Sequence, residues 1–182
     1  MIMGFLERLY LGIDEFSNRL GKIVSWVAII MVLVQFLVVV MRYTFSIGFI
    51  WMQESVLYLH AILFMLGAGY TLLHEGHVRV DVFYREMSEH QQAIVDFIGS
   101  IVFLLPVSIL LWWWSWPYVE QSWEIGEGSR ETSGIQALYL FKTVILAFAG
   151  LIALQGVSML IRTLLTITGH KTRHAREDGA HV

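Results

Sequence analysis

Four apolar stretches, each long enough to cross a lipid bilayer, set the limits on what this chain can become. A helix needs about 20 mostly apolar residues to cross about 30 Å of hydrocarbon. Inside lipid every backbone N–H and C=O must be paired within the protein, which leaves helices as the form for such stretches. They fall at about residues 23–41, 51–73, 93–114 and 134–162. Of the 182 residues, 57% are hydrophobic and 15% charged, and the charges gather between the stretches. Soluble domains carry about a quarter charged residues, so these clusters read as loops and tails. The expected fold is an all-α membrane protein of four transmembrane helices. It forms one membrane domain over about residues 1–168, followed by a polar, fraying tail at about residues 169–182.

The first stretch is too charged to be a span, with Glu7, Arg8, Asp14, Glu15 and Arg19. Its apolar residues Ile2, Leu6, Leu9, Ile13, Phe16 and Leu20 recur every three or four positions, which puts them on one face of a helix. This predicts an N-terminal amphipathic helix over about residues 2–20, lying in the interface plane or packed on a partner. A cleaved signal peptide is not expected, because Arg42, Tyr43 and Thr44 follow the first apolar run in place of a small-residue cleavage site. Pro106 lies inside the third span and predicts a kink.

Basic residues orient the chain. Arg8, Arg19 and Lys22 precede the first span, Arg79 and Arg85 lie between the second and third, and Arg162, Lys171, Arg173 and Arg176 follow the fourth. The other two connections hold only Arg42 and Arg130. The bias puts both termini and the middle loop in the cytoplasm. Trp112, Trp113, Trp114 and Trp116 close the third span, with Trp51 and Trp123 near the same outer face and Trp26 at the inner one. Tryptophan favours the headgroup level, so these read as interfacial anchors.

Ionisable groups within a span are costly, and by default they mark a working position. Glu54 and Lys142 are the two clearest. They can pair with each other, Glu54 can pair with Arg42, or both can snorkel to the outer surface. A structural ion pair fits better than a transported-ion site, since one carboxylate and one lysine make no conduction path. His60 is the one histidine near mid-span, and the first, third and fourth spans have none. That leaves haem without facing axial ligands. His74 and His77 end the second span, and the tail histidines His170, His174 and His181 match no strong zinc spacing. There is no cysteine, hence no disulfide or zinc thiolate site. No phosphate-binding glycine loop, serine nucleophile elbow or zinc-protease motif occurs. A net charge of −3 argues against nucleic acid as a partner. Asp96 can face cytoplasmic water. Ala149, Ala153 and Gly156 on the fourth span, and Gly67, Ala68 and Gly69 on the second, mark faces for close helix packing. No cofactor is expected; bound lipid is compatible with such a bundle. Four spans with no internal repeat and no interrupted pair suit a chain that braces another subunit better than one that moves a polar solute alone.

The second span carries recognisable residues. It opens with Trp51, Met52, Gln53 and Glu54 and runs out through His74, Glu75, Gly76, His77, Val78, Arg79, Val80 and Asp81. This resembles the W-x-x-E and G-H-[IV]-R-[VI]-D pattern of the small membrane subunit of tripartite ATP-independent periplasmic (TRAP) transporters, the DctQ-like family. A second region is similar as well: Ser122, Trp123, Glu124, then Glu131, Thr132, Ser133, Gly134, and in the fourth span Phe141 with Lys142. The chain departs from the family where Ile135 and Gln136 follow Gly134, which leaves the start of the fourth span open. The resemblance implies a non-enzymatic scaffold in the bacterial inner membrane. Its partners would be a large permease subunit holding the substrate and sodium sites, a periplasmic binding protein, and membrane lipid. The alternative is a membrane anchor for a redox enzyme. Gly76 can take a positive φ at the end of the second span, and Arg79 and Asp81 can hold the inner loop against the N-terminal helix. Glu120, Glu124, Glu127 and Glu131 form an acidic outer edge that either docks the binding protein or is a solvated loop.

Overall fold

The computed structural model describes residues 2–77 and 81–169. Arg79 and the tail basic residues and histidines lie outside the described residues, as does the side chain of Asp81. Among the described residues the chain is helical and has no strand. Helix α1 covers Ile2–Phe45. After a short connection, α2 (Ile50–Ala61) passes through a π-helical turn (Ile62–Leu66) into α3 (Gly67–Leu73). A single turn, α4 (Asp81–Tyr84), precedes α5 (Glu89–Gly99), a second π-helical turn (Ser100–Leu104) and α6 (Leu105–Glu124). Helix α7 (Leu138–Ile167) completes the bundle. Four helical segments are long and apolar enough to cross a membrane: Met3–Phe45, Ile50–Leu73, Glu89–Glu124 and Leu138–Ile167. The chain is a multi-pass membrane protein. One end of the bundle holds the connections 46–49 and 125–137, here the loop end. The other, the terminal end, holds the start of α1 and the finish of α7.

The amphipathic N-terminal segment is not a separate element. It forms the first turns of α1, which continues unbroken into the first span. No proline interrupts it, and Gly21 within it makes room for the ring of Tyr70, which lies where a side chain at that position would be. At 1.5 Å per residue α1 is about 66 Å long, roughly twice the hydrocarbon thickness. Its charged first half therefore extends beyond the lipid core. The buried face also differs from the apolar stripe in the sequence. Tyr10, Ile13, Asp14, Ser17 and Val24 are buried, whereas Leu9 and Phe16 are exposed. Ile13 alone belongs to both sets. The neighbours α3 and α7 choose the face, and they approach along a flank richer in polar groups.

The third span starts earlier and ends later than its apolar run. Ser88 and Gln91 form a reciprocal capping box that sets the start of α5. Pro106 sits at the first turn of α6, directly after the π-helical turn. Proline has no N–H to give to the carbonyl four residues back, here that of Val102. The wider turn accommodates this, with the Leu105 N–H reaching the Ser100 C=O. The expected kink is thus realised as a local change of helix type. Past Pro117, α6 continues to Glu124 because Val119 and Ser122 are buried and Trp123 is tied to α7. The fourth span begins at Leu138, later than the apolar run suggests, because the Ile135 N–H is taken by Glu54 and not by a helix. Helix α7 touches each of the other long helices and is the most buried span, while the first span is the least buried.

Candidate functional site

Two polar clusters cross-link the bundle, one at each end. At the loop end, Glu54 lies on the second turn of α2 and is half-buried. Its Oε2 accepts the Ile135 N–H at 2.6 Å, and its Oε1 accepts the Ser129 hydroxyl. Ser129 Oγ in turn accepts the Glu131 N–H at 3.1 Å. The segment 129–135 is therefore folded over the start of α2 by one carboxylate. Glycine is required at position 134, since a Cβ there would stand 2.6 Å from Glu54 Oε2. Tyr58 and Phe141 pack below with ring centroids 4.7 Å apart.

Lys142 has another partner. Its Nζ donates to Glu127 Oε2 at 2.5 Å and stands 3.9 Å over the Tyr118 ring. The Lys142 side chain is 11% exposed. The hydrogen bond from Lys142 holds the Glu127 carboxyl below the usual range. Glu127 also ties the loop through its backbone: its N–H donates to the Ser122 C=O at 2.9 Å and its C=O accepts the Tyr139 N–H at 3.2 Å. Trp123 closes this corner with an Nε1–H bond to Thr143 Oγ1 at 2.8 Å. Neither a Glu54–Lys142 nor a Glu54–Arg42 pair forms. The outer loop lies between the helices and supplies each charge with a nearer group. Arg42 is exposed on the last turn of α1 and makes no ion pair among the described residues. Of the acidic edge, Glu120, Glu124 and Glu131 are exposed, whereas Glu127 is turned inward by its lysine.

At the terminal end, Asp14 and Ser17 of α1 meet Gln155 and Ser158 of α7, all four buried. Gln155 Nε2 donates to Asp14 Oδ1 at 2.9 Å, and Ser17 Oγ donates to Gln155 Oε1 at 2.8 Å. Ser158 Oγ donates to Asp14 Oδ1 at 2.5 Å. The Tyr10 hydroxyl lies buried nearby with no hydrogen-bond partner among the described residues. Sequence reasoning missed this cluster. Its one signal is that Asp14–Ser17 and Gln155–Ser158 share a spacing of three, which puts each pair on one helix face. Beside the cluster, Gly156 lets the third span come close to α7: a Cβ there would stand 3.1 Å from Leu104 and Leu105.

The motif at the end of the second span closes α3 with a Schellman turn. The Gly76 N–H bonds the Thr71 C=O at 2.8 Å and the Glu75 N–H bonds the Leu72 C=O at 3.3 Å. The residue with positive φ is Glu75, at 53°, and not Gly76. Gly76 is needed for space instead, since a Cβ there would stand 3.0 Å from the Thr71 methyl. This end is tied to α1 by His74 Nε2, 3.3 Å from Asn18 Oδ1. His77 is exposed. Trp26, Trp51, Trp112, Trp113, Trp114 and Trp116 all keep exposed surface. Among the described residues no group of three or more histidines and carboxylates could hold a metal.

Residues 31–166 match the family model described as tripartite ATP-independent periplasmic transporters, DctQ component. Neither the search of curated proteins nor that of solved structures gives a match.

Proposed function

The chain belongs to the DctQ family of TRAP transporter components, and we propose that it is the static brace of the large permease subunit. In this reading it holds that subunit in the bacterial inner membrane, with both termini in the cytoplasm and the loop end facing the periplasm. A binding protein delivers the solute, an organic acid or a related compound, and the permease takes it up with sodium. The redox-anchor alternative gains nothing from membership of a transporter family.

One observation carries the reading. The two charged groups within the spans, Glu54 and Lys142, are each consumed by bonds to the chain's own outer loop. Bonded in this way they rigidify the bundle, and neither is free to line a path through it. Exposed Glu120, Glu124 and Glu131 form the docking edge for a basic patch on the binding protein. An acyl chain suits the apolar groove of about 380 Å³ between α6 and α7, lined by Phe103, Leu104, Val107, Leu111 and Phe148.

Reconstitution tests the brace. Liposomes holding the large subunit, with binding protein and a sodium gradient, should take up solute only when this chain is present. Full uptake without it defeats the proposal. Docking has its own test: Glu120→Lys, Glu124→Lys and Glu131→Lys together should slow uptake several-fold at low salt and less at high salt. An unchanged rate at both salts removes the docking role.

A further inference from the structure

We propose that the outward stripe of α2, formed by Leu57, His60 and Phe64, together with Gln35 of α1, is the surface that the large permease subunit covers. This rests on the brace reading and specifies the face that does the bracing.

Elsewhere the second span is buried or half-buried. Apart from Trp51 at its start, Leu57, His60 and Phe64 are the only exposed residues in Ile50–Leu73. Their spacing of three and four puts them on one side of the helix. Leu57 is 61% and Phe64 70% exposed. His60 lies near the middle of this 24-residue span. Its ring packs at a tilt against Phe64 with centroids 5.0 Å apart, and it makes no hydrogen bond among the described residues.

A second polar side chain stands at the same depth. Gln35 lies ten residues before Phe45, and His60 lies ten residues after Ile50, the two ends of the connection between α1 and α2. The two helices run antiparallel and in contact, so both side chains sit about 15 Å from the loop end. Gln35 is exposed and also makes no hydrogen bond among the described residues. The π-helical turn Ile62–Leu66 starts just past His60 and interrupts the regular backbone ladder at this level.

Acyl chains offer such groups no hydrogen bond, and polar side chains at mid-membrane face protein or a water-filled cavity. The occupant must therefore be a membrane-embedded protein that presents a hydrogen-bonding side chain at mid-depth, flanked by apolar surface that fits Leu57 and Phe64. The outward face of the third span supplies the contrast. Phe103, Val107, Leu110 and Trp114 are exposed there with no titratable group among them, which suits lipid.

The test is photo-crosslinking within the assembled transporter. Leu57→p-benzoylphenylalanine and Phe64→p-benzoylphenylalanine should each give an adduct of this chain with the large subunit. Phe103→p-benzoylphenylalanine and Leu110→p-benzoylphenylalanine should not. Adducts from the third-span positions alone overturn the assignment of the face and leave the brace intact. Adducts at twice the mass of this chain from Leu57 or Phe64 show a second copy in that place and also overturn it. Absence of the large subunit from the purified complex defeats the brace reading itself. The polar pair has a second test: His60→Leu with Gln35→Leu should leave the isolated chain folded by circular dichroism while lowering recovery of the large subunit several-fold. Unchanged recovery overturns the role of these two residues.

Discussion

The two ends of the bundle solve the same problem in opposite ways. At the loop end two charged side chains, Glu54 and Lys142, are satisfied by a folded loop that brings donors and a carboxylate to them. At the terminal end a single carboxylate, Asp14, takes hydrogen bonds on its Oδ1 directly between two helices, from uncharged side chains of α7. The loop end has exposure to spare, with Glu54 half-buried; Asp14 is 8% exposed. A charge at a span terminus can thus be held by segments that remain in reach of water. A charge clasped between helices depends on complete hydrogen bonding, because a buried group left unpaired loses its full solvation.

That contrast orders the effects of substitution. Asp14→Ala should be the most damaging, since it strands the Gln155 amide and the Ser158 hydroxyl between packed helices. A loss of about 3 kcal/mol is expected from the cost of such orphaned groups, read as a lowered thermal midpoint in detergent. A negligible shift would erase the distinction between the two ends. Glu54→Ala should cost about 2 kcal/mol, from two charge-assisted bonds in a partly wet site. Its signature is local: faster proteolysis within residues 125–137 while the rest of the bundle stays protected. Tyr10→Phe should act in the opposite direction, adding about 1 kcal/mol by removing a buried hydroxyl that has no partner among the described residues. A loss of stability there would mean that the hydroxyl is bonded after all.

The smallest effect concerns pH. Glu127 has its carboxyl held low by the Lys142 hydrogen bond. A carboxylate with a lowered folded value contributes stability above its unfolded value near 4.5, and that contribution is lost as pH falls through the lower folded value. Order in the outer loop, followed by Trp123 fluorescence, should therefore persist at neutral pH and fade only below about pH 4.5. A transition near neutrality would contradict the assigned pair.

The four spans were legible because continuous apolar runs of that length have few other fates. Glu54 and Lys142 were legible for the same reason, as charges against an apolar background. Their partners were not, because Glu127 comes within reach of Lys142 only once the loop has folded, and sequence spacing carries no record of that. Asp14 escaped notice among neighbouring charges, and Gln155 and Ser158 read as mild polar interruptions. The apolar stripe of the first 20 residues misled for a related reason. Periodicity finds the oily face of a helix, but the buried face is decided by where α3 and α7 approach. Glycine at the end of the second span raised a similar expectation, yet Glu75 takes the left-handed position and Gly76 supplies room.

The account turns on rigidity: the bundle keeps its shape while the large subunit moves. The absence of cysteine lets spin labels be placed at will, for example at Tyr43→Cys and Ile125→Cys, both exposed at the loop end. The distance between them is then measured in the assembled transporter by pulsed electron resonance, without solute and with sodium plus solute. The account predicts one unchanged distance distribution in both states. A shift of several ångströms on loading would show this chain moving with the transport cycle and would contradict the brace.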